Sequence, residues 1–191
     1  MLFKKQRNLD DHYLDSALRG EQKGLEYLVN AYRDMAYTIA VRIVGSHEDA
    51  EEVVQDSFLK AFKYLDQFKR ASKFSTWLYR IIYNTALTKI GNKNNVTFEL
   101  EDDNEYVSDE GSALQRLTNS DRKKYLGMAI EKLKKEDQLI ITLHYIADKS
   151  IAEITEIMDM KSSAIKMRLL RSRKQMYWEL KKLLKSEIKE L

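Results

Sequence analysis

The stretch SIAEITEIMDMKSSAIKMRLLRSRKQM, residues 150–176, has an apolar rhythm in its first half and a run of cations in its second. Ile154 and Ile157 fall on one face of a short helix, because residues three and four apart are neighbours at 3.6 residues per turn. Asp159, Met160 and Lys161 interrupt the pattern, and the serine that follows is suited to cap a second helix. The stretch therefore predicts a helix-turn-helix.

The second of these helices separates its core side from its charged side. The inward positions recur at steps of three and four residues: Ile165, Leu169, Ser172 and Met176. The outer positions are Ser163, Lys166, Met167, Leu170, Arg171 and Lys174, flanked by Arg168 and Arg173. No acidic residue lies between 160 and 178, whereas an ordinary solvated helix pairs its cations with carboxylates one turn away. This pattern favours a recognition helix that binds DNA phosphates. The alternative is a helical hairpin whose charged face is only solvated.

Charge is unevenly distributed along the 191 residues, although the net charge is only +3. Residues 1–91 carry 14 basic and 12 acidic side chains, residues 92–120 carry 2 and 7, and residues 121–191 carry 17 and 11. A basic C-terminal part behind an acidic middle indicates a polyanionic partner for that part.

Several classes of protein are disfavoured by composition. Without cysteine there is no disulfide framework, thiolate nucleophile or cysteine-ligated metal. The first 20 residues lack an apolar segment with a cleavage site, so we expect no signal peptide, and the apolar runs are far shorter than the roughly 20 residues of a membrane span. The three histidines are scattered, and the sequence has no phosphate-binding loop and no catalytic triad. We therefore expect no enzymatic activity, and no bound cofactor, metal or small-molecule substrate.

The rest of the chain also has helical periodicity. We predict helices over residues 25–44, 46–68 and 74–90, with Gly45 ending the first helix and Ser46 capping the second. Residues 92–119 are rich in Asn, Asp, Glu, Ser and Gly and are interpreted as an acidic, flexible linker. A second helical domain begins near Asp121. The predicted fold is therefore all-α, with two small helical domains joined by the linker.

A basic connector, KRASK at residues 69–73, precedes the helix FSTWLYRIIYNTALTKI at residues 74–90. Its cations are suited to hold the backbone of a single DNA strand, and Phe74 and Trp77 to stack on unpaired bases, which contributes about 1–3 kcal/mol per base. Arg80 and Asn84 share the face of Trp77. Periodicity alone favours the alternative that Trp77 is simply a core aromatic residue.

Together these segments resemble the extracytoplasmic-function (ECF) sigma factors, a compact branch of the sigma-70 family. Residues 150–176 resemble their region 4, and DAEEVVQDSFLKAFKYLDQF (49–68) followed by FSTWLYRIIYNTALTKI (74–90) resembles their region 2. The resemblance implies a transcription initiation factor that binds bacterial core RNA polymerase and directs it to specific promoters. Residues 1–91 are then a region 2-like domain for polymerase binding and −10 recognition and melting, 92–120 the linker, and 121–191 a region 4-like domain for −35 binding.

The resemblance also implies roles for individual residues. It assigns core-polymerase binding to one face of the 49–68 helix, made of Asp49, Glu52, Gln55, Asp56 and Leu59. Residues implied for the single-stranded −10 element are Lys69, Arg70, Lys73, Phe74, Trp77, Arg80 and Asn84. Residues implied for the duplex −35 element are Ser162, Ser163, Lys166, Arg168, Arg171, Arg173 and Lys174. The helix-turn-helix turn of the family often carries glycine, and here Asp159 stands in that turn.

The resemblance further implies a cytoplasmic protein that is monomeric when bound to polymerase and is held by an anti-sigma factor. The acidic linker is either a plain tether or a segment that follows the RNA path of the polymerase. Two other functions remain open from the residues: a stand-alone helix-turn-helix regulator that binds duplex DNA as a dimer, and a helical adaptor that binds only proteins.

Overall fold

The computed structural model describes residues 2–91 and 119–188, with side chains described for 9–91 and 121–184. The helices of the first part are α1 (Leu2–Leu18), α2 (Gln22–Val44), α3 (His47–Lys63) and α4 (Phe74–Gly91), with a 3-10 turn at Leu65–Gln67. The helices of the second part are α5 (Asn119–Glu131), α6 (Lys135–Ile141), α7 (Ile151–Met158) and α8 (Ser162–Ile188), with a π-helical turn at Thr142–Ile146 after α6. These described ranges contain no strand, and the predicted all-α fold with two helical domains is confirmed.

Helix ends follow the local chemistry of the sequence. Gly45 ends α2 in the left-handed conformation (φ 77°) and donates its N–H to the Val41 carbonyl over 2.9 Å, a conformation that glycine adopts without a steric penalty. The next residue, Ser46, caps α3 by accepting the amide of Asp49. Ser150 and Glu153 form a reciprocal capping box at the start of α7, which satisfies two amides that the helix leaves without partners.

The first domain packs α2, α3 and α4 against one another around Leu28, Ile39, Val53, Leu78 and Ile82, all fully buried. α1, which the sequence analysis did not locate, packs along α2. A Cβ at Gly24 of α2 would lie 2.3 Å from the amide nitrogen of Ala17 in α1. Only glycine therefore allows these two helices to approach so closely.

The second domain packs α6, α7 and α8 around the apolar faces of the helix-turn-helix. Ile154 and Ile157 of α7 and Ile165 of α8 are fully buried, together with Leu139 and Leu143. A smaller cluster joins α5 to the later turns of α8 through Tyr125, Ala129, Leu180 and Leu184. The long C-terminal part of α8 is therefore a packing surface for α5.

The two domains lie in contact and share one continuous hydrophobic core. α7 packs on α4, and α6 packs on α2. At the second contact Arg42 Nη1 donates to Gln138 Oε1 over 3.2 Å. Residues 92–118 of the predicted linker lie outside the described residues, and its last two positions belong to α5. The second predicted helix is shorter than expected, because α3 ends at Lys63 and a 3-10 turn follows.

Candidate nucleic-acid and polymerase interfaces

The helix-turn-helix is formed by α7, a three-residue turn and the first half of α8. Asp159 adopts the left-handed conformation at φ 53° and ψ 41°, which aspartate tolerates better than most residues. The predicted inward face is confirmed: Ile165, Leu169 and Ser172 are buried. This packing fixes which side of α8 is turned outward.

The outer side of α8 carries most of the residues predicted for the −35 element. Ser162, Ser163, Lys166 and Arg173 are exposed, and Arg171 and Lys174 are half-buried. Hydroxyls therefore stand at the N-terminus of α8 and cations follow over its next three turns. Such an arrangement suits a helix that enters the major groove by its N-terminal turns and contacts phosphates with its cations.

Arg168 does not belong to this outer surface, contrary to the sequence-based prediction. It is 8% exposed, its Nη1 donates to Asp137 Oδ1 over 2.9 Å and its Nη2 lies 2.5 Å from Glu136 Oε2. At about 100° per residue, position 168 lies only about 40° from Ser172 around the helix, which turns it inward. Its guanidinium ties α8 to α6.

The basic connector between α3 and α4 forms a second positive surface. Lys69, Arg70 and Lys73 are exposed. Arg70 has a left-handed backbone (φ 56°) and forms an ion pair with Asp15 of α1, and Lys73 Nζ lies 3.1 Å from Glu153 Oε1 of α7. Two of the three cations of the connector therefore have carboxylate partners in this conformation.

The aromatic residues at the start of α4 occupy different environments. Phe74 is 3% exposed and packs against Tyr32 and Phe68, with ring centroids at 5.5 and 5.8 Å. It precedes the buried Leu78 by one helical turn and shares its core face, so the prediction that it stacks on bases is not supported by its position. Trp77 is half-buried and packs on Phe68 at 5.1 Å.

Part of the Trp77 ring packs in the fold and another part remains accessible to a ligand. Arg80 and Asn84, one and two turns further along α4, are exposed. They extend the accessible surface of Trp77 along the helix.

The outer face of α3 carries the residues implied for polymerase binding. Glu52, Gln55 and Asp56 are exposed and Leu59 is 62% exposed. An apolar groove between α2 and α3 adjoins Leu59 and is lined by Val29, Tyr37, Val54, Phe58 and Phe62. Lys89 of α4 lies 2.5 Å from the Glu52 carboxylate and 3.7 Å from that of Asp49, so part of the acidic charge of this face is compensated within the domain.

A polar cluster between the domains was missed by the sequence analysis. Lys149, the residue before the N-cap of α7, is 4% exposed. Its Nζ hydrogen-bonds to the Ser75 hydroxyl and, over 3.3 Å, to Thr76 Oγ1. The partners are more than 70 positions apart in the chain, so no local pattern relates them.

Family models match both parts of the chain. The model of sigma-70 region 2 matches residues 28–95 and that of sigma-70 region 4 matches residues 123–176. The ECF RNA polymerase sigma-E factor of Escherichia coli K12 is 31% identical over 176 residues, covering 86% of this chain and 90% of that protein. The chain belongs to the ECF sigma factors of the sigma-70 family. This sigma factor is also 29% identical over 182 residues to ECF sigma factor SigW of Bacillus subtilis, covering 86% of this chain and 93% of SigW.

Solved structures agree with the fold of this sigma factor. CnrH, solved in complex with the cytosolic domain of CnrY, superimposes with a TM-score of 0.60 at 23% identity and covers 90% of this chain and 97% of its own. Sigma factor RpoE of Bartonella quintana, solved with the anti-sigma factor NepR, has a TM-score of 0.59 at 24% identity. The match covers 83% of this chain and 98% of the RpoE chain.

As an ECF sigma factor, the protein is a promoter-specific transcription initiation factor that binds core RNA polymerase and promoter DNA. Sigma factors are not a family of catalytic enzymes. Within the described ranges, no helix has the length and apolarity that crossing a bilayer requires.

Proposed function

We propose that the two functions of this sigma factor divide between its domains. Residues 1–91 bind core RNA polymerase through α3 and bind the single-stranded −10 element through the connector and α4. Residues 121–191 bind the −35 element as duplex through α8, and residues 92–120 join the two. The observation that carries this assignment is the separation of faces on α8, where apolar residues face the core and an acid-free cationic side faces out.

For the −35 element we assign Ser162, Ser163, Lys166, Arg171, Arg173 and Lys174. Arg168 is left out because its guanidinium is held by two carboxylates inside the domain. Arginine and lysine pair well with guanine edges, and each good pair contributes about 1–3 kcal/mol of base discrimination.

For the −10 element we assign Lys69, Arg70, Lys73, Trp77, Arg80 and Asn84. Extrusion of a base costs a few kcal/mol, which stacking on Trp77 and phosphate contacts of the connector offset. The buried Phe74 packs against Trp77, with ring centroids 5.8 Å apart.

For the polymerase we assign Asp49, Glu52, Gln55, Asp56 and Leu59. The apolar groove beside Leu59, rimmed by carboxylates, suits a partner helix with apolar and basic side chains. An anti-sigma factor is proposed as a further partner, because a solved sigma factor of the same fold is bound to one. We place the protein in the cytoplasm with its polymerase, as one copy per complex and without catalytic activity of its own.

The experiment that tests this function combines binding and promoter opening. The purified chain is mixed with bacterial core RNA polymerase and run on a sizing column, and the complex is used to transcribe a library of genomic fragments. We expect co-elution and transcripts from a defined set of promoters that core polymerase alone does not produce. Permanganate footprinting should then detect unpaired thymines near their start sites.

A stand-alone helix-turn-helix regulator gives a different result. It binds duplex DNA tightly without polymerase and opens no promoter, and the absence of a polymerase complex together with such binding would favour it.

A further inference from the structure

Two exposed apolar side chains lie on α8 among the cations assigned to the −35 element. Met167 is 46% exposed and Leu170 is 38% exposed. They are three positions apart, so their side chains are neighbours on one face of the helix. A single exposed apolar residue is ordinary on a protein surface, whereas an adjacent pair inside a binding surface indicates what that surface contacts.

The pair lies at the centre of the outward face of α8. The fully buried Ile165 marks the inward direction. At about 100° per residue, Met167 lies about 20° and Leu170 about 40° from the direction opposite Ile165. Lys166 and Arg173 lie about 80° and 100° from that direction. The apolar pair is therefore central, and these two cations lie at the sides of the face.

This order of side chains matches the cross-section of the major groove. The floor of the groove is formed by base edges and its walls by the two phosphate backbones, so a helix in the groove meets bases with its centre and phosphates with its sides. Met167 is the sixth residue of α8 and thus belongs to the N-terminal turns that enter the groove. Ser163 and Lys174 lie on the same central line, within about 20° of the direction opposite Ile165.

Thymine is the base whose edge suits an apolar side chain. Its C5-methyl group is the one methyl group that the four bases present in the major groove. An apolar side chain placed against the donors and acceptors of the other bases would desolvate them without offering a hydrogen bond, which is unfavourable. Met167 and Leu170 are about 4.5 Å apart along the helix axis, and a base-pair step is about 3.4 Å. The pair can therefore reach thymines on up to two neighbouring base pairs.

The charge around the pair favours DNA over a protein as the occupant of this face. No acidic residue lies between positions 160 and 178, and Lys166, Arg171 and Lys174 surround the two apolar side chains. The core of a protein–protein interface is depleted of charged residues, whereas surfaces that bind DNA are strongly positive.

We propose that Met167 and Leu170 are specificity-determining residues, which select thymine in the −35 element by contact with its C5-methyl group. The inference rests on the proposed −35 role of α8. It adds to that role a requirement for an A·T base pair at one or two positions of the element.

Deoxyuridine tests the contact directly, since it pairs as thymine does and lacks only the methyl group. The holoenzyme is formed from the full chain and core RNA polymerase, and a promoter identified by the transcription experiment supplies a fluorescein-labelled duplex. Each thymine of the −35 element, on either strand, is replaced in turn by deoxyuridine, and binding is measured by anisotropy. We expect about four-fold weaker binding at one or two positions, the effect of one buried methyl group, and unchanged binding at the other thymines.

Met167→Ala and Leu170→Ala identify the side chain that makes each contact. At every sensitive position, at least one of the two variants should bind the thymine and deoxyuridine duplexes equally. Both leucine and methionine are exposed here and alanine favours a helix, so the fold should be retained, which circular dichroism checks. In the control Lys166→Gln, binding of both duplexes should weaken by the same factor and the difference between them should remain.

Several results would overturn the proposal, and they separate it from the −35 assignment. Equal binding of the thymine and deoxyuridine duplexes at every position would remove the methyl contact, and the −35 role of α8 would stand if Lys166→Gln still weakens binding. A thymine preference that persists in both alanine variants would assign the contact to other residues. Loss of co-elution with core polymerase in those variants would make the pair a protein contact. Parent-like binding by all three variants would overturn the −35 role as well.

Discussion

Arg168 of α8 donates a hydrogen bond to Asp137 of α6 over 2.9 Å, with both side chains at most 12% exposed. This pair, extended by Glu136, holds the recognition helix against the preceding helix. A residue that the sequence assigns to DNA is thereby a structural link.

Arg168→Ala is expected to destabilise the second domain rather than to remove a DNA contact. Loss of one partner leaves buried carboxylates without a counter-charge, which costs about 3–5 kcal/mol. Urea denaturation followed by circular dichroism measures the effect, and Lys182→Ala at an exposed position of α8 should change stability by no more than about 0.5 kcal/mol. Full stability of Arg168→Ala combined with lost promoter binding would return Arg168 to the DNA surface.

Lys166→Gln is expected to weaken duplex binding by an amount that depends on salt. Each phosphate contact contributes about 0.9 to the slope of log affinity against log salt concentration, so this variant should reduce the slope by about one. Fluorescence anisotropy with a labelled promoter duplex measures it at several salt concentrations. Lys182→Gln, an equal loss of charge far along α8, serves as the control, and equal slopes for the two variants would contradict the −35 assignment of Lys166.

Leu59→Asp is expected to weaken binding to core RNA polymerase without unfolding the chain. Leu59 is 62% exposed, so its substitution should change the stability of the fold by no more than about 0.5 kcal/mol. A carboxylate beside the apolar groove loses its hydration when the polymerase docks, and this cost weakens binding. Sizing-column co-elution measures binding. The matched control is Leu18→Asp on α1, where the leucine is 46% exposed, and equal loss of binding in both variants would argue against the groove as the docking site.

Trp77→Ala is expected to spare polymerase binding and to impair promoter opening. Removal of the accessible indole loses stacking worth about 1–3 kcal/mol per base. The equilibrium constant for formation of the open complex should therefore decrease by up to about a hundred-fold. Permanganate reactivity of thymines near the start site reports opening. Trp178→Ala provides the matched control, because Trp178 is 41% exposed on α8, and unchanged opening in Trp77→Ala would remove Trp77 from the −10 site.

Acid is expected to weaken α7 and its contacts through Glu153. Burial raises the pKa of this carboxyl, but hydrogen bonds from the Ser150 amide and hydroxyl and the charge of Lys149 outweigh it and lower the pKa to about 2 from its ordinary 4.5. A lowered pKa in the folded state stabilises the fold above pH 4.5, and this contribution is lost as the pH falls to 2. The melting temperature should therefore fall by several degrees over this range. In Glu153→Gln this part of the pH dependence should be absent, and an unchanged pH profile would contradict the role of Glu153.

The local patterns of the sequence were sufficient for α2, α4 and the helix-turn-helix, whereas they missed α1 and placed the end of α3 too late. Apolar spacing predicted the buried face at Ile165, Leu169 and Ser172, and the end of α2 and the start of α3 followed from Gly45 and Ser46, because periodicity and capping depend on residues within one or two turns. The left-handed conformation at Asp159 was likewise consistent with its residue type.

The positions of Arg168, Phe74 and Lys149 were decided only by the tertiary structure. A helical wheel does not resolve whether a residue about 40° from the core face reaches solvent or a partner, and the carboxylates that hold Arg168 lie on another helix. The contact of Lys149 with Ser75 joins residues 74 positions apart. The sequence by itself thus determined an all-α chain with a helix-turn-helix and two basic segments. Only the packing of the helices and domains decided that Arg168 is held inside its domain and that Lys149 joins the two domains, because such contacts depend on chain geometry that local patterns do not contain.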